Sequence, residues 1–326
     1  MIRSAFRNKT IGRVLLSAGA LAILIFVILF PKECSKACSE GILLWAAAVL
    51  PSLFPFFILT SVLTGLGGAQ KLADKVSPLT RRFKLPSAAS YCFLLSALSG
   101  YPVGSRMIAD LAENGAIDSK QAARLSALCS TSGPMFLIGS VGGAMYGNVR
   151  MGAILLASHL ISVLLVCLCF LPFVKPLPER RSPTVRHNAD NILQNSVQGA
   201  VVSILCVGGF IAFFYVLTQI LRSVGALTPI IYLFSFLLAP FGAENAAEGL
   251  VYGLLEATHG CATLAASGAT LSLPLCAFTV TFGGICIVTQ QLGYLKKAGV
   301  KAAPFIGIKL LQGIAAFFVC WLLISP

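Results

Sequence analysis

Long apolar runs follow one another along the chain, separated by short polar segments. Residues 11–30, 198–221 and 304–324 each form a run almost without charge, and about 20 apolar residues in a helix cross a hydrocarbon core of about 30 Å. Apolar length and loop charge together predict transmembrane helices at about 13–30, 42–64, 123–146, 151–173, 198–221, 270–292 and 303–324. We therefore predict an all-α polytopic membrane protein with about seven spanning helices.

Two further apolar segments, 87–111 and 246–267, are interrupted midway. The interruptions are Ser-Gly-Tyr-Pro-Val-Gly at 99–104 and Glu-Ala-Thr-His-Gly at 256–260. Each half has only about 10 to 12 residues, which is too short to cross the bilayer. Because a bilayer tolerates broken backbone only where it faces protein or a watery cavity, both segments are predicted to be re-entrant helical hairpins.

Composition and charge agree with a membrane protein. The chain is 57% hydrophobic and 11% charged, against about 25% charged in a soluble domain. The net charge of +13 would suggest nucleic acid as a partner in a soluble protein, but 18 of the 24 Lys and Arg residues fall in predicted cytoplasmic loops and four in outside loops. By the positive-inside rule this distribution predicts a cytoplasmic N-terminus, with the lipid bilayer and not nucleic acid as surroundings. The first apolar run is too long for a typical cleaved signal peptide, and Pro-Lys-Glu at 31–33 offers no small-residue cleavage site, so the first helix is predicted to remain uncleaved.

The eleven cysteines carry little functional information. Nine fall in apolar stretches, where a thiol behaves as a small hydrophobe. Cys34 and Cys38 fall in a predicted polar loop, where a bridge, a metal site or an incidental role is open; the absence of a second ligand pair nearby favours the incidental role. We therefore predict no metal and no cofactor, and leave open whether H⁺ or Na⁺ is a coupling ion.

The hairpins are predicted to enter from opposite sides, which indicates an inverted repeat. In both halves a span is followed by a connector, an interrupted hairpin and a span with a small polar cluster, at 130–134 and 281–284. Paired interruptions of this kind point to a substrate site near the midplane. Residues 54–68 and 212–226 are identical at Phe56/Phe214, Leu59/Leu217, Thr60/Thr218, Leu63/Leu221 and Gly67/Gly225. The predicted units are 1–40 (first helix and outside loop), 41–174 (first repeat), 175–195 (Pro-rich cytoplasmic linker) and 196–326 (second repeat).

Charged residues at membrane depth are functional candidates by default. Arg106 lies in the first turn of the second half of hairpin one, where its guanidinium and the helix-start N–H groups would hold an anion. The alternative is an i,i+4 pair with Asp110. Glu256 would bind a proton, a cation or a substrate hydrogen-bond donor, or else would cap the next half-helix.

Uncharged polar residues complete the predicted site. Ser130, Thr131 and Ser132 are assigned to it because the following Gly-Pro breaks the helix and frees carbonyls, although such residues also join helices together. Gln290 and Gln291 are left undecided, and His159 is interpreted as structural. The predicted substrate-binding residues are Ser99, Gly100, Tyr101, Pro102, Gly104, Ser105, Arg106, Ser130, Thr131, Ser132, Gly133, Glu256, Thr258, His259, Gly260, Thr281, Gly283 and Gly284.

The motifs at the two hairpins resemble those of a known family. The segments are 99–106, 108–111, 121–125, 132–139 and, in the second half, 253–260. They look like the YlbJ-type sporulation integral membrane proteins, also called stage V sporulation protein V, which carry nucleoside-recognition (Gate) domains and are similar to concentrative nucleoside transporters. That family usually has two asparagines before its Ser-Gly-Pro, where this chain has Ser130 and Thr131.

The resemblance implies a transporter in the mother-cell-derived outer forespore membrane of a sporulating bacterium. It would move dipicolinate, a small dianion, from the mother cell towards the forespore by alternating access. A nucleoside or other small-anion transporter, a channel, or a structural sporulation membrane protein are the alternatives, and the oligomeric state is left open. We do not expect an enzyme, because the chain has no His-Glu-x-x-His motif and no glycine-flanked Ser paired with a His that would activate a nucleophile.

Overall fold

The computed structural model describes residues 2–82, 88–170 and 191–325, and within these ranges it is helical and contains no strand. The helices of the first half are α1 (Ile2–Leu29), α2 (Pro31–Leu44), α3 (Leu50–Gly65), α4 (Gly68–Arg82), α5 (Ala88–Ser99), α6 (Val103–Glu113), α7 (Ser119–Leu128) and α8 (Val149–Phe170). Two π-helical segments, Trp45–Val49 and Phe136–Met145, accompany them. The second half contains α9 (Ile192–Ser223), α10 (Thr228–Leu238), α11 (Ala247–Leu255), α12 (Ala257–Ser267), α13 (Ser272–Phe282), α14 (Gly284–Leu295) and α15 (Ala302–Ile324). The predicted all-α class is confirmed.

Within the described residues, five helical stretches are long and apolar enough to cross a membrane. They are Pro31–Gly65, Val149–Phe170, Ile192–Ser223, Ser272–Leu295 and Ala302–Ile324. The apolar part of α1, Ser17–Leu29, is shorter, and the predicted span at 123–146 is divided between α7 and the second π segment. The count of seven spans stays a prediction.

The prediction of a polar loop around Cys34 and Cys38 is wrong, because both residues lie in α2. Pro31 is the first residue of this helix. Proline is tolerated there because the first N–H groups of a helix have no intrahelical acceptor. Lys36 and Glu40 form an i,i+4 ion pair at 3.8 Å on its exposed face. The polar residues therefore belong to the first turns of a long helix that continues into α3, and both cysteines are free thiols.

Within the described residues, helices are interrupted at four places where glycine, proline or charge occurs within an apolar run. Hairpin one consists of α5 and α6, separated by Gly100–Pro102, with Gly100 at a φ of +76°. Hairpin two consists of α11 and α12, which meet at Glu256 in an extended conformation. The first broken span is interrupted between Leu128 and Phe136. The second is interrupted at Gly283, whose φ of +91° is one that a side chain disfavours.

The order span, connector, hairpin, broken span and span thus occurs twice in the described residues. In the centre of the molecule α15 packs against α13 and α8, and α8 packs against the second π segment. Hairpin two packs through α12 on α13, and α6 of hairpin one packs on α14. Each broken span therefore lies between a hairpin and a continuous helix. The predicted linker lies largely outside the described residues, and the division into units stays a prediction.

Candidate functional site

The tips of both hairpins and both broken spans line one small pocket. This tip pocket has a volume of about 60 Å³. Ser99, Gly100 and Tyr101 of hairpin one lie on its wall, and Glu256 and Thr258 of hairpin two lie on the same wall. The broken spans contribute Ser132, Gly133, Phe136, Cys286, Ile287 and Gln290. The structure therefore brings together residues that the sequence predicted separately in its two halves.

A larger cavity of about 830 Å³ adjoins the tip pocket. The two share Phe57, Ser99, Tyr101, Val207, Phe210 and Gln290 as lining residues. Cavities of this size hold small-molecule ligands, and their walls combine apolar surface with a few polar groups. The polar groups of this wall include Thr60, Ser61, Ser203, Thr289 and Gln290. We call this space the main cavity.

Arg106 lies exposed on the wall of the main cavity, together with Asp110. Among the ion pairs that the described residues form, none joins Arg106 to Asp110. The predicted alternative, in which Asp110 neutralises the guanidinium, is therefore not formed. Arg106 and Asp110 are the charged residues among the described residues of this wall.

Glu256 is the N-cap of α12. Its Oε1 accepts a hydrogen bond from the Thr258 backbone N–H at 2.9 Å, and its Oε2 accepts one from the His259 backbone N–H at 2.7 Å. The side chain is 2% exposed. The capping alternative is the one the structure shows. The first amides of α12 are occupied by this carboxylate and do not face a ligand.

The hydroxyl groups of the first broken span bind other protein groups. Ser130 Oγ and Ser105 Oγ both donate to Gln291 Oε1, the latter at 3.2 Å. Thr131 Oγ1 shares a hydrogen bond with Ser96 Oγ at 2.9 Å. These contacts join hairpin one, the interruption of the first broken span and α14, as the helix-joining alternative predicts. Gln291, which the sequence left undecided, is the common acceptor.

Several predicted glycines serve helix packing. A Cβ on Gly104 would lie 2.0 Å from the Cys129 carbonyl oxygen, and one on Gly260 would lie 2.2 Å from the Cα of Gly253. A Cβ on Gly284 would lie 2.7 Å from the Gly253 carbonyl oxygen. Only glycine permits these close backbone approaches.

The remaining predicted residues lie near the tips. Pro102 lines the main cavity and follows Tyr101 through a cis peptide bond. His259 stacks on Tyr215 with ring centroids 3.8 Å apart and contacts Tyr252 at 4.5 Å. His259 therefore connects hairpin two with α9.

His159, which the sequence predicted to be structural, links the two broken spans. Its Nε2 accepts a hydrogen bond from the Ser132 backbone N–H at 2.9 Å. Because Nε2 is an acceptor, a neutral ring carries its proton on Nδ1, which lies 2.9 Å from Thr281 Oγ1. Through these two hydrogen bonds, His159 of α8 connects the interrupted segment of the first broken span with the second broken span.

Lys309 was missed as a candidate. Its Nζ donates to the Ser130 carbonyl oxygen at 2.9 Å and to Tyr101 Oη at 3.0 Å, and its side chain is fully buried. The signal was present, since Lys309 is an ionisable residue inside an apolar span. Its partners were not predictable, because they lie far away in the sequence.

Known proteins resemble this chain in sequence. Residues 46–174 match the Gate family, described as nucleoside recognition. The chain is also 28% identical over 342 residues to the sporulation integral membrane protein YlbJ of Bacillus subtilis (strain 168), which covers 97% of this chain and 84% of that protein. The resemblance predicted from the hairpin motifs is thereby confirmed.

Solved structures share the fold. The structure of CNTnw in an inward-facing substrate-bound state has a TM-score of 0.62 at 15% identity, over 97% of this chain and 85% of that one. A variant of CNTnw in a state called intermediate 1 has a TM-score of 0.55 at 14% identity, over 96% and 85%. The chain therefore shares the fold of CNTnw. The similarity to an integral membrane protein and the long apolar helices of the described residues support a multi-pass membrane protein.

Proposed function

We propose that the chain is a sporulation membrane transporter that moves dipicolinate from the mother cell towards the forespore by alternating access. The observation that carries the proposal is the convergence of both hairpin tips and both broken spans on one pocket beside the main cavity. A substrate at this position contacts elements of both repeats, which is where inverted-repeat transporters bind their substrates. The sporulation setting comes from the similarity to YlbJ.

The wall of the main cavity offers groups for a small aromatic dianion. Arg106 supplies a guanidinium that forms no ion pair with Asp110, and planar guanidinium groups bind carboxylates with two parallel hydrogen bonds. Phe57 and Phe210 line both spaces and provide apolar surface for a flat ring. In this arrangement one carboxylate pairs with Arg106, and the ring extends towards the tip pocket.

Loss of the guanidinium tests this assignment. We expect Arg106→Ala to raise the half-saturating dipicolinate concentration for uptake into proteoliposomes by about 10- to 100-fold. The reason is that a hydrogen bond to a charged group contributes about 1.5–3 kcal/mol. Arg106→Lys retains the charge without the planar fork, so we expect an intermediate effect. Arg150→Ala is the matched control, because Arg150 is exposed at the start of α8 and lines neither space.

Two outcomes contradict different parts of the proposal. Unchanged uptake by a correctly inserted Arg106→Ala variant would remove Arg106 from the substrate site. The wild-type protein can be inserted into vesicles in both orientations. Absence of dipicolinate uptake by these vesicles would exclude dipicolinate as the substrate.

A nucleoside is the second candidate substrate. The family match is described as nucleoside recognition, and the hydroxyl and amide groups of Thr60, Ser203 and Gln290 on the cavity wall suit an uncharged sugar or base. Uridine uptake in the same vesicles distinguishes the two substrates. Uptake that saturates with concentration supports a carrier, whereas unsaturable flux supports a channel.

A further inference from the structure

Lys309 is a fully buried ammonium in the middle of the polar contacts between the repeats. It extends from α15, a helix long and apolar enough to cross a membrane. A charge at this depth is costly unless polar groups surround it. Its partners therefore indicate what the charge does.

Uncharged oxygens hold the ammonium. The Ser130 carbonyl oxygen accepts from Nζ at 2.9 Å, and Tyr101 Oη accepts at 3.0 Å. Ser130 lies between the end of α7 and the second π segment, where a carbonyl has no helical partner of its own. The ion pairs among the described residues involve other side chains, and none of them includes Lys309.

The end of a half-helix lies directly behind these oxygens. Tyr101 Oη is 3.2 Å from the Thr281 carbonyl oxygen and 3.3 Å from that of Val280. Both carbonyls belong to the last turn of α13, which ends at Phe282. The C-terminal end of a helix carries partial negative charge and favours a cation. Tyr101 donates its proton to this end and presents its lone pairs to Lys309.

This arrangement has the chemistry of sites that hold a monovalent cation. In transporters with broken helices, unwound carbonyls and half-helix C-terminal ends coordinate the coupling cation. Carbonyl and phenol oxygens without a carboxylate suit a singly charged ion, whereas divalent ions take carboxylate ligands. In this protein the cationic group at the site is the ammonium of Lys309, which is part of the chain.

We propose that Lys309 is a tethered cation that takes the place of a mobile ion in this site and holds the tip of hairpin one against the first broken span. A mobile metal ion is then not required at this position, and the site itself creates no dependence of transport on sodium. The consequence for transport rests on the proposed function, but the occupancy of the site does not depend on which substrate is carried.

Replacement of Lys309 by a shorter side chain tests the proposal on purified protein. Lys309→Ala removes the ammonium and most of its stem, and leaves a space that a small alkylammonium ion fits. We expect this variant to unfold at a lower temperature than the wild type, and propylammonium chloride to raise its unfolding temperature more than choline chloride at equal ionic strength. The wild type is expected to respond equally to both salts, because its own ammonium occupies the site.

Lys309→Met is the matched control for size. Its unbranched side chain fills the space without a charge, so we expect no specific response to propylammonium. Hydrogen–deuterium exchange of the peptide covering residues 96–106 supplies a second measurement. We expect faster exchange there in Lys309→Met than in the wild type, because the tip has lost its contact with the ammonium. Lys297→Ala, at an exposed lysine near Glu113, is expected to change neither quantity.

The outcomes are decisive without a transport assay. A folded Lys309→Ala variant that responds equally to the two salts would overturn the proposal. If Lys309→Ala does not fold, the hydrogen–deuterium exchange of Lys309→Met decides. An exchange rate at residues 96–106 equal to that of the wild type would overturn the proposal. A failure to transport dipicolinate leaves both measurements unchanged, so the two proposals fail separately.

Discussion

Buried or cavity-lining charges in this chain differ in what compensates them. Glu256 is satisfied by the backbone of its own helix, whereas Lys309 is satisfied by oxygens of other elements. Arg106 faces the main cavity without an ion pair to Asp110. Compensation within the protein indicates a structural or positioning role, and a charge that faces a cavity is available to a ligand. Arg106 is therefore the strongest candidate for direct contact with substrate.

The capping role of Glu256 predicts a graded loss of stability. Glu256→Gln keeps one of the two acceptor oxygens, and Glu256→Ala keeps neither, so we expect the unfolding temperature to fall in the order wild type, Gln, Ala. Loss of a cap costs about 0.5–2 kcal/mol. Thermal unfolding in detergent measures the order, with Glu244→Gln, at an exposed residue just before α11, as the control. Equal stability of the Gln and Ala variants would contradict the cap.

The two arms of hairpin two are in close backbone contact. Gly249 lies against Leu264, and Gly253 lies against Gly260, so α11 and α12 touch along their length. Gly253 also faces the Thr279 side chain of α13. The glycines of α11 therefore allow close contact with both α12 and α13. The two arms of the hairpin are expected to move as one body.

A methyl group in this contact should separate the arms. In Gly260→Ala the added Cβ would lie 2.2 Å from the Gly253 Cα, so the helices have to shift. Overpacking of this kind costs about 1–3 kcal/mol. We expect a lower unfolding temperature for Gly260→Ala, and an unchanged or higher one for Gly209→Ala, because no atom lies within 4 Å of the Cβ position at Gly209. Similar values for the two variants would contradict the packing argument.

At the scale of the whole molecule, the broken elements were predictable and the contacts between them were not. Glycine, proline and charge interrupt apolar runs locally, so 99–104 and 256–260 were visible in the sequence. The two helices of the second broken span were missed as separate helices because Gly283 and Gly284 alone divide them. Ser130 and Gln291 are 161 residues apart, and only packing of the two repeats brings them together. The same holds for Lys309 and His159, since a basic residue in an apolar run has the same appearance whether it faces a loop, a cavity or a carbonyl oxygen.

The number of membrane crossings leads to a prediction about the chain termini. An odd number of spans places the two termini on opposite sides, and the loop charges predict a cytoplasmic N-terminus. With seven spans and two re-entrant hairpins, we expect a green fluorescent protein fused to the N-terminus to fluoresce, and an alkaline phosphatase fused after Ser325 to be active outside. The hairpins do not change this parity, because each returns to the side from which it enters. A C-terminal phosphatase that is inactive, together with a fluorescent C-terminal fusion, would show an even number of crossings. Either α1 or the first broken span, α7 with Phe136–Met145, would then be the segment to reassign, since both lie outside the five stretches of the described residues that are long enough to cross.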